Sequence, residues 1–234
     1  MKCGYNISIL GMKTLIKNTE NVLSKKEILD RMYCDDLEQR LTITPLINKK
    51  YINEGSVDVR LGTEFIVSKR TNYSLIDPLD EDIETVINVY QDRLYVKLGK
   101  GLILHPNQFI LGCTFEYVKF PQDLIGYVLG RSSWGRVGLV IATATFVNPG
   151  FAGVITLELT NLGNTPLRLY PGIRIAQLSL HGIANLENSD DQIKQSKYFA
   201  AIRPEFSKIH KDDDWKLLKY IKNRRYEIAK IQLV

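Results

Sequence analysis

Residues 125–180 read IGYVLGRSSWGRVGLVIATATFVNPGFAGVITLELTNLGNTPLRLYPGIRIAQLSL, and this stretch decides the fold class. It contains short apolar runs that are separated by turn-forming residues such as Pro149-Gly150 and Pro171-Gly172. Many short strands with frequent turns are typical of a β-sandwich or barrel, so the stretch predicts a mainly β protein. The strands expected here are Ile125–Leu129, Leu139–Val147, Gly153–Asn161, Leu167–Tyr170 and Ile173–Leu180.

The β pattern extends upstream, and helices are expected mainly at the two ends of the chain. Ser24 and Glu27 fit a capping box, which predicts a short helix at about residues 24–34. Helical spacing returns from Trp215 onward, and the acidic stretch 71–92 is expected to be a long excursion between strands. Further strands are expected at Leu94–Leu98, Leu102–Leu104 and Gln108–Thr114.

The chain of 234 residues is 44% hydrophobic and 24% charged, which is ordinary for a folded protein. No run of about 20 apolar residues and no secretion signal is visible, so we expect a cytoplasmic protein without a membrane span. The three cysteines and three histidines are widely separated and form no Cys-x-x-Cys or His-x-Glu pattern. A conventional zinc site is therefore not expected, and no metal-binding residue is assigned.

The net charge of +5 is concentrated at the end of the chain. Residues 215–234 hold six basic residues and only Glu227 as an acidic one, so the preceding residues are neutral overall. Nucleic acid is therefore an unexpected partner for the body of the protein. The tail is interpreted either as an amphipathic helix that packs on the trimer, with Trp215 and Leu218 inward, or as a contact to an acidic partner or nucleic acid.

Two segments carry residues suited to chemistry. Residues 130–136, read GRSSWGR and called the GRSS segment below, follow an apolar strand and offer hydroxyls, guanidiniums and backbone N–H groups to an anion. Serines in such a place are more often simple helix caps. In the second segment, residues 153–161, alternation places Glu158 on one face with Val154, Thr156 and Thr160, where it is either a solvated strand residue or a base at a site wall.

Together these segments resemble the dCTP deaminase branch of the dUTPase-like superfamily. The resemblance also rests on GSVDVRLGTEF at residues 55–65, LHPNQFILGCTFE at 104–116 and FPQDL at 120–124, and more loosely on SKY at 196–198. It implies a distorted jelly-roll β-barrel with a short N-terminal helix and a C-terminal helical tail. We accordingly predict an N-terminal extension at residues 1–22, a dCTP deaminase-like domain at 23–210 and a basic helical tail at 211–234.

The resemblance also implies the activity and the residues that perform it. Members of the family are homotrimers with sites between subunits, and they convert dCTP to dUTP and ammonia without zinc, with Mg²⁺ accompanying the triphosphate. Glu158 corresponds to the general base and acid, Ser132 and Arg136 to residues that place water and shape the pocket, and Ala144 to a backbone carbonyl that holds the amino group. The predicted substrate contacts are Arg131, Ser133, Asn148, Thr156, Leu157, Gln177, Lys197 and Tyr198.

Four features depart from the family pattern. Asn148 stands where the family usually has an aspartate, which in dUTPases activates water against the α-phosphate, so the amide can only hydrogen-bond the sugar. The loop of residues 138–148 is one residue shorter and lacks a histidine. Ala201 replaces a phosphate-binding glutamine and Phe199 is unusual. A tyrosine expected upstream of Ser196 is missing.

The sequence is therefore compatible with three functions. The main prediction is a metal-independent dCTP deaminase that feeds dUMP and dTTP synthesis. A dUTP diphosphatase or a bifunctional deaminase and diphosphatase is the second, and Asn148 argues against it. A non-catalytic nucleotide-binding regulatory trimer is the third, and it is motivated by the altered residues 199–201 and the additional tail.

Overall fold

The computed structural model describes residues 21–231 except 70–71, 74, 81, 143–145, 184–197 and 199. Thirteen strands and four α-helices lie in this described part. The helices are α1 (Lys25–Met32), α2 (Ile83–Tyr90), α3 (Ser132–Gly135) and α4 (Asp214–Ile231). The strands are β1 (Thr42–Thr44), β2 (Ile52–Asn53), β3 (Ser56–Arg60), β4 (Glu64–Ser68), β5 (Gln91–Tyr95), β6 (Leu102–Leu104), β7 (Phe109–Lys119), β8 (Leu124–Gly130), β9 (Leu139–Ile141), β10 (Phe146–Val147), β11 (Ala152–Asn161), β12 (Leu167–Leu169) and β13 (Arg174–Gly182).

The strands form two main antiparallel sheets. Sheet I has the order β5-β4-β7-β11-β9, with β1 added to β7, and sheet II has the order β10-β8-β13-β3-β2. A small third sheet pairs β12 with β6. Apart from the pairs β5-β4 and β3-β2, neighbouring strands are not consecutive in the chain, so both main sheets are assembled from distant parts of the sequence. The prediction of a mainly β protein is confirmed.

One large apolar core lies between the sheets. Alternation along β11 places Ile155, Leu157 and Leu159 in this core, and Val57 and Val59 of β3 enter it from sheet II. Burying an aliphatic side chain of this size stabilises the fold by about 1.5–3 kcal/mol, so the core is the main source of stability.

A buried ion pair crosses the core and joins two of the sequence motifs. The Arg60 backbone N–H and Nε donate to the Glu116 carboxylate at 2.8 and 2.6 Å, and a second guanidinium nitrogen donates to the Pro45 carbonyl at 2.9 Å. The side chains of Arg60 and Glu116 are only 5% and 1% exposed. The GSVDVRLG motif is thereby fixed to the LHPNQFILGCTFE motif.

Helix α1 forms as the sequence predicts. The Ser24 hydroxyl accepts from the Glu27 backbone N–H, and the Glu27 carboxylate accepts from the Ser24 N–H, which completes the capping box. Ile28 on its inner face is fully buried in the core. Just before the helix, Val22 forms a bridge with His181, and the Leu23 N–H donates to the Leu180 carbonyl at 2.9 Å.

The structure corrects two details of the strand pattern. The acidic stretch 71–92 is not a plain excursion, because it contains α2 and the start of β5. Ile83, Val86 and Ile87 of α2 are buried against Phe206 and Ile209, so this helix forms a small second core. The single strand expected at Leu139–Val147 is two strands in different sheets, β9 in sheet I and β10 in sheet II.

The helical tail is present as α4. No helix in the described residues has the length and apolar character needed to cross a membrane. The proposed domain boundaries stay predictions.

Candidate functional site

The GRSS segment connects β8 of sheet II to β9 of sheet I. Its residues Ser132, Ser133 and Arg136 are exposed, and Trp134 turns inward to pack against the core. The Trp134 indole N–H donates to the Arg174 carbonyl at 3.1 Å, and the Arg131 backbone N–H donates to the Ile175 carbonyl at 3.4 Å. Both contacts hold the segment on β13 and leave its two hydroxyls and Arg136 facing outward.

A buried carboxylate lies directly beneath this segment. Asp58 of β3 is only 3% exposed, and its Oδ2 accepts from Arg131 at 3.3 Å and from Arg174 at 2.7 Å. Its Oδ1 accepts from the Gln177 amide at 3.1 Å and from the Asn53 amide at 3.2 Å. Four donors, from the GRSS segment, β2 and β13, therefore surround one buried charge, which is the arrangement a buried carboxylate requires.

Asp58 fixes the direction in which its neighbours point. Because the Gln177 amide donates to Asp58, its carbonyl oxygen is left as an acceptor. The Arg174 guanidinium also lies over the Tyr51 ring, 5.0 Å from the centroid, so it is held from two sides. Arg131 is the less closely held guanidinium, and 25% of its side chain is exposed and able to meet an anion.

Of the predicted site residues, the structure therefore brings Arg131 and Gln177 together, with Ser132 and Ser133 beside them in the chain. It adds Asp58 and Arg174, which sequence reasoning did not assign to the site. The sequence did contain a sign of this role, namely the carboxylate of Asp58 between the apolar Val57 and Val59. A strand that is buried on both faces has to neutralise such a charge.

Glu158 lies on β11 in sheet I, on the face opposite to the main core. It is half-buried together with Thr156 and Thr160, as the alternation predicts. In the sheet register Glu158 lies opposite Leu111, and Leu111 lies opposite Ile66 of β4. Both neighbours are nearly fully buried, so the carboxylate stands at the margin of an apolar row and not on an open polar surface.

Within one chain, Glu158 and the GRSS segment are linked through β9. The Ala142 N–H donates to the Glu158 carbonyl at 2.8 Å, and Leu159 pairs with Ile141. In the described part of the chain, no hydrogen bond joins the Glu158 carboxylate to Ser132, Ser133 or Arg136. The two predicted halves of the site are thus not joined within a single protomer.

Gly138 allows the chain to pass from the GRSS segment to β9. It has φ +94°, and its carbonyl accepts from the Leu162 N–H at 2.8 Å. A Cβ at this position would lie 2.5 Å from the Gly163 nitrogen, so only glycine fits. The close approach fixes the end of the GRSS segment against the loop that follows β11.

The remaining predicted site residues have separate surroundings. Asn148 is exposed in the turn before β11, where its carbonyl accepts from the Phe151 N–H at 3.2 Å. The Leu157 side chain is 1% exposed and packs in the core, so only its backbone could meet a substrate. The Tyr198 hydroxyl accepts from the Lys208 N–H at 3.1 Å. Ala144 and Lys197 lie outside the described residues.

Ala201 is bound to the beginning of β11. Its carbonyl accepts from the Val154 N–H at 2.7 Å, and the Ala200 N–H donates to the Ala152 carbonyl at 2.8 Å. Ala201 is 7% exposed, so a small side chain suits this position. The alanine that departs from the family pattern therefore has a structural place against β11.

Comparison with known proteins places these features in a family. A family model described as dCTP deaminase-like matches residues 22–183. A protein of Methanobrevibacter smithii named "dCTP deaminase, dUMP-forming" is 41% identical over 199 residues, which cover 83% of this chain and 98% of that protein. A protein of Natronomonas pharaonis named "dCTP deaminase" is 40% identical over 197 residues, which cover 83% of this chain and 97% of that protein.

A solved structure agrees with the fold. The crystal structure of 2′-deoxycytidine 5′-triphosphate deaminase from Agrobacterium tumefaciens superposes with a TM-score of 0.51 at 18% identity. The match covers 74% of this chain and 49% of that chain. The predicted jelly-roll architecture is thereby confirmed.

Proposed function

Because this chain belongs to the dCTP deaminase-like family, within the dUTPase-like superfamily, we propose that it is an enzyme that hydrolytically deaminates dCTP. The observation that carries the proposal is the near-complete alignment, at about 40% identity, with relatives named dCTP deaminase. The arrangement of Asp58, Arg131 and Gln177 supports it, because it presents the Arg131 guanidinium to an anionic group and the Gln177 carbonyl oxygen to a hydrogen-bond donor of the substrate.

We propose Glu158 as the base that activates water. The carboxylate takes a proton from water, and the resulting hydroxide attacks C4 of cytosine to give a tetrahedral intermediate. The carboxylic acid gives this first proton to N3, which keeps it. The carboxylate then takes the second proton from the C4 hydroxyl and passes it to the amino group, the C4–N4 bond breaks, and ammonia leaves as the C4 carbonyl forms. The half-buried position of Glu158 beside Leu111 supports this role, because an apolar margin limits competing water around a general base.

Ser132 and Arg136 would hold the attacking water and the ring, and the Ala144 carbonyl would accept from the amino group. Arg131, Ser133 and Lys197 would meet the triphosphate, while Asn148 would bind the sugar hydroxyl and Tyr198 would contribute from the C-terminal segment. Thr156 and Leu157 would line the pocket, Leu157 through its backbone. Fixed donors of this kind lower a barrier by holding reactants in attack geometry.

We propose that the complete site needs a second protomer, in a homotrimer. Glu158 and the exposed GRSS segment are not joined within one chain, and a segment that is exposed in one protomer is free to meet Glu158 of another. In a closed ring of three copies, each of the three sites would combine Glu158 of one copy with the GRSS segment of its neighbour.

Mg²⁺ would reach the site as part of the substrate. Among the described residues, no group of three His, Cys, Asp or Glu side chains could hold a metal ion, so the triphosphate itself would carry Mg²⁺ to the site. The ion would screen the phosphate charge, and the residues of the chain would perform the proton transfers.

A second candidate function, in which the final product is dUMP, follows from the names of the relatives. Relatives from Methanosphaera stadtmanae and Methanobrevibacter smithii carry the name dUMP-forming, which favours dUMP over the dUTP that the sequence predicts. A dUMP-forming enzyme must also release diphosphate. Asn148 speaks against that second step, because its amide cannot act as a base.

Chromatography of the products from dCTP, dUTP and dCMP, with and without a chelator, tests the proposal. We expect ammonia and a deoxyuridine nucleotide from dCTP. Glu158→Gln should lower the rate by roughly 10²–10⁴-fold. The matched control, Glu38→Gln, changes an exposed glutamate in the same way and should keep full activity.

The product identity separates the candidates. Formation of dUTP alone supports deamination only, and formation of dUMP with diphosphate supports the bifunctional enzyme. Binding of dCTP without any ammonia release would refute the proposal and support a regulatory nucleotide-binding protein.

A further inference from the structure

The basic tail forms a helix with an exposed apolar surface. In α4 the side chains of Leu217 and Tyr220 are both 62% exposed, and Leu218 and Ile221 are also exposed. Lys219, Lys222 and Arg224 are exposed on the same part of the helix and form no ion pair with a described residue. A helix that presents both leucines and unpaired lysines to solvent is typical of a surface that binds another protein surface.

The base of α4 is held firmly on the body of the protein. The 3₁₀ turn Ile209–Lys211 precedes it, and Ile209 packs against the buried residues of α2. The Trp215 indole N–H donates to the Ile209 carbonyl at 2.6 Å. His210 Nε2 lies 3.7 Å from the Glu84 carboxylate, so the base of α4 is next to the start of α2.

The segment before α2 has the opposite charge. Residues 75–84, read LIDPLDEDIE and called the acidic segment, contain five carboxylates and no lysine or arginine. Leu75 is 71% exposed and Ile76 is 42% exposed, beside the exposed Asp77. Asp77 and Asp80 accept from nearby backbone N–H groups, which orients their carboxylates without neutralising them.

We infer that α4 of one copy docks on the acidic segment of a second copy of this chain. The two surfaces match in both respects, since each has exposed aliphatic side chains bordered by charges, and the charges are opposite. Because the base of α4 and the acidic segment are adjacent in one chain, a twofold arrangement of copies from two different trimers lets each copy place its helix on the other's acidic segment.

Two other binding surfaces for α4, nucleic acid and a different acidic patch of a second copy, fit less well. Nucleic acid would neutralise the lysines but would leave Leu217 and Leu218 without an apolar surface. A second acidic patch at Asp35–Glu38 is already contacted by cations, since Lys119 donates to the Leu37 carbonyl at 3.2 Å and Arg40 donates to the Asp35 carbonyl at 3.4 Å. In the acidic segment only Glu84 has a basic neighbour, His210, and Asp77, Asp80 and Asp82 form no ion pair with a described residue.

A charge-swap experiment tests this contact. The tail variant combines Lys219→Glu, Lys222→Glu and Arg224→Glu, and the segment variant combines Asp77→Lys, Asp80→Lys and Asp82→Lys. We expect the molar mass of the wild-type assembly, measured by light scattering after gel filtration, to be twice that of either variant. The variant that carries both sets of changes should regain the wild-type mass, because the opposite charges are restored with their signs exchanged.

The control variant changes the charge equally at exposed sites elsewhere, through Lys50→Glu, Lys97→Glu and Lys100→Glu, and should keep the wild-type mass. Circular dichroism checks that each variant is folded. An unchanged mass for the tail variant overturns the inference, as does a doubly changed variant that is folded but stays at half mass. Binding of duplex DNA that the tail variant loses, at unchanged mass, would assign α4 to nucleic acid and overturn it too. Deamination of dCTP is measured separately, so the two proposals fail independently.

Discussion

Arg174 donates to Asp58 at 2.7 Å, and the carboxylate that it contacts is almost completely buried. Arg131 shares the same oxygen at 3.3 Å, so one negative charge holds two guanidiniums side by side. Without that charge the two cations would repel each other, and Arg131 would lose the contact that keeps it beside the GRSS segment.

Asp58→Asn is therefore expected to weaken both stability and substrate binding. The loss of stability should be about 2 kcal/mol, below the value for a fully buried pair because both guanidiniums are partly exposed. KM for dCTP should rise about tenfold or more, since a displaced Arg131 binds the triphosphate less well, while kcat falls less. Urea denaturation and steady-state kinetics measure the two effects.

The control for Asp58 is Asp92→Asn. Asp92 pairs with Lys69 at 3.0 Å, but both side chains are about half exposed. Such a surface pair should contribute less than about 1 kcal/mol, and its removal should leave KM unchanged. Equal effects of the two substitutions on KM would mean that Asp58 does not position Arg131.

The sequence could predict local features of this site because they depend on neighbouring residues. The alternation along β11 that places Glu158 opposite the core side is a property of strand geometry. The capping box of α1 is equally local. By contrast, Asp58 is 73 residues from Arg131 and 116 residues from Arg174 in the sequence. Only the pairing of β13 with β3 and β8 brings these three residues together.

The two errors in the strand pattern have the same cause, because contacts between distant parts of the chain decide both features. Helix α2 is mainly apolar but short, and five carboxylates lie in and just before it, so the acidic composition of the stretch hides a helix whose inner face is covered by the distant Phe206. Residues Leu139–Val147 are mainly apolar, and nothing in their composition shows that β9 and β10 join different sheets.

Cys113 on β7 gives a prediction for the dependence of stability on pH. Burial raises the pKa of its thiol to about 12 from an ordinary value of 9.0. Above pH 9 the unfolded chain loses this proton while the folded chain keeps it, so the unfolded state binds fewer protons and stability falls as the pH rises from 9 toward 12. Below pH 9 the group has no effect.

Denaturation of wild type and Cys113→Ala at pH 8 and pH 10 measures this contribution. The wild type should lose more stability than the variant between these pH values, and the folded thiol should resist alkylation at pH 8. If both proteins lose the same free energy of unfolding, the thiol does not contribute as described.

Glu116→Gln tests the ion pair that crosses the core. The substitution keeps the shape of the side chain but leaves the buried Arg60 charge uncompensated, so stability should fall by about 3–5 kcal/mol. Because neither residue belongs to the proposed site, kcat of the remaining folded protein should stay near the wild-type value. A substitution that costs less than about 1 kcal/mol would show that other groups stabilise Arg60.

Gly138 provides the sharpest test of how the GRSS segment is held. Gly138→Ala would place a Cβ 2.5 Å from the Gly163 nitrogen, whereas Gly99→Ala, at a similar φ of +81°, meets nothing within 4 Å. Both substitutions carry the roughly 1–2 kcal/mol strain of a left-handed residue, so the difference between them isolates the clash. We expect Gly138→Ala to lose about 2 kcal/mol more than Gly99→Ala in urea denaturation. Only Gly138→Ala should also raise KM for dCTP, because a shift of the backbone at Gly138 moves Arg136 with it. Equal stability and equal KM of the two variants would mean that the close approach to Gly163 does not hold the GRSS segment.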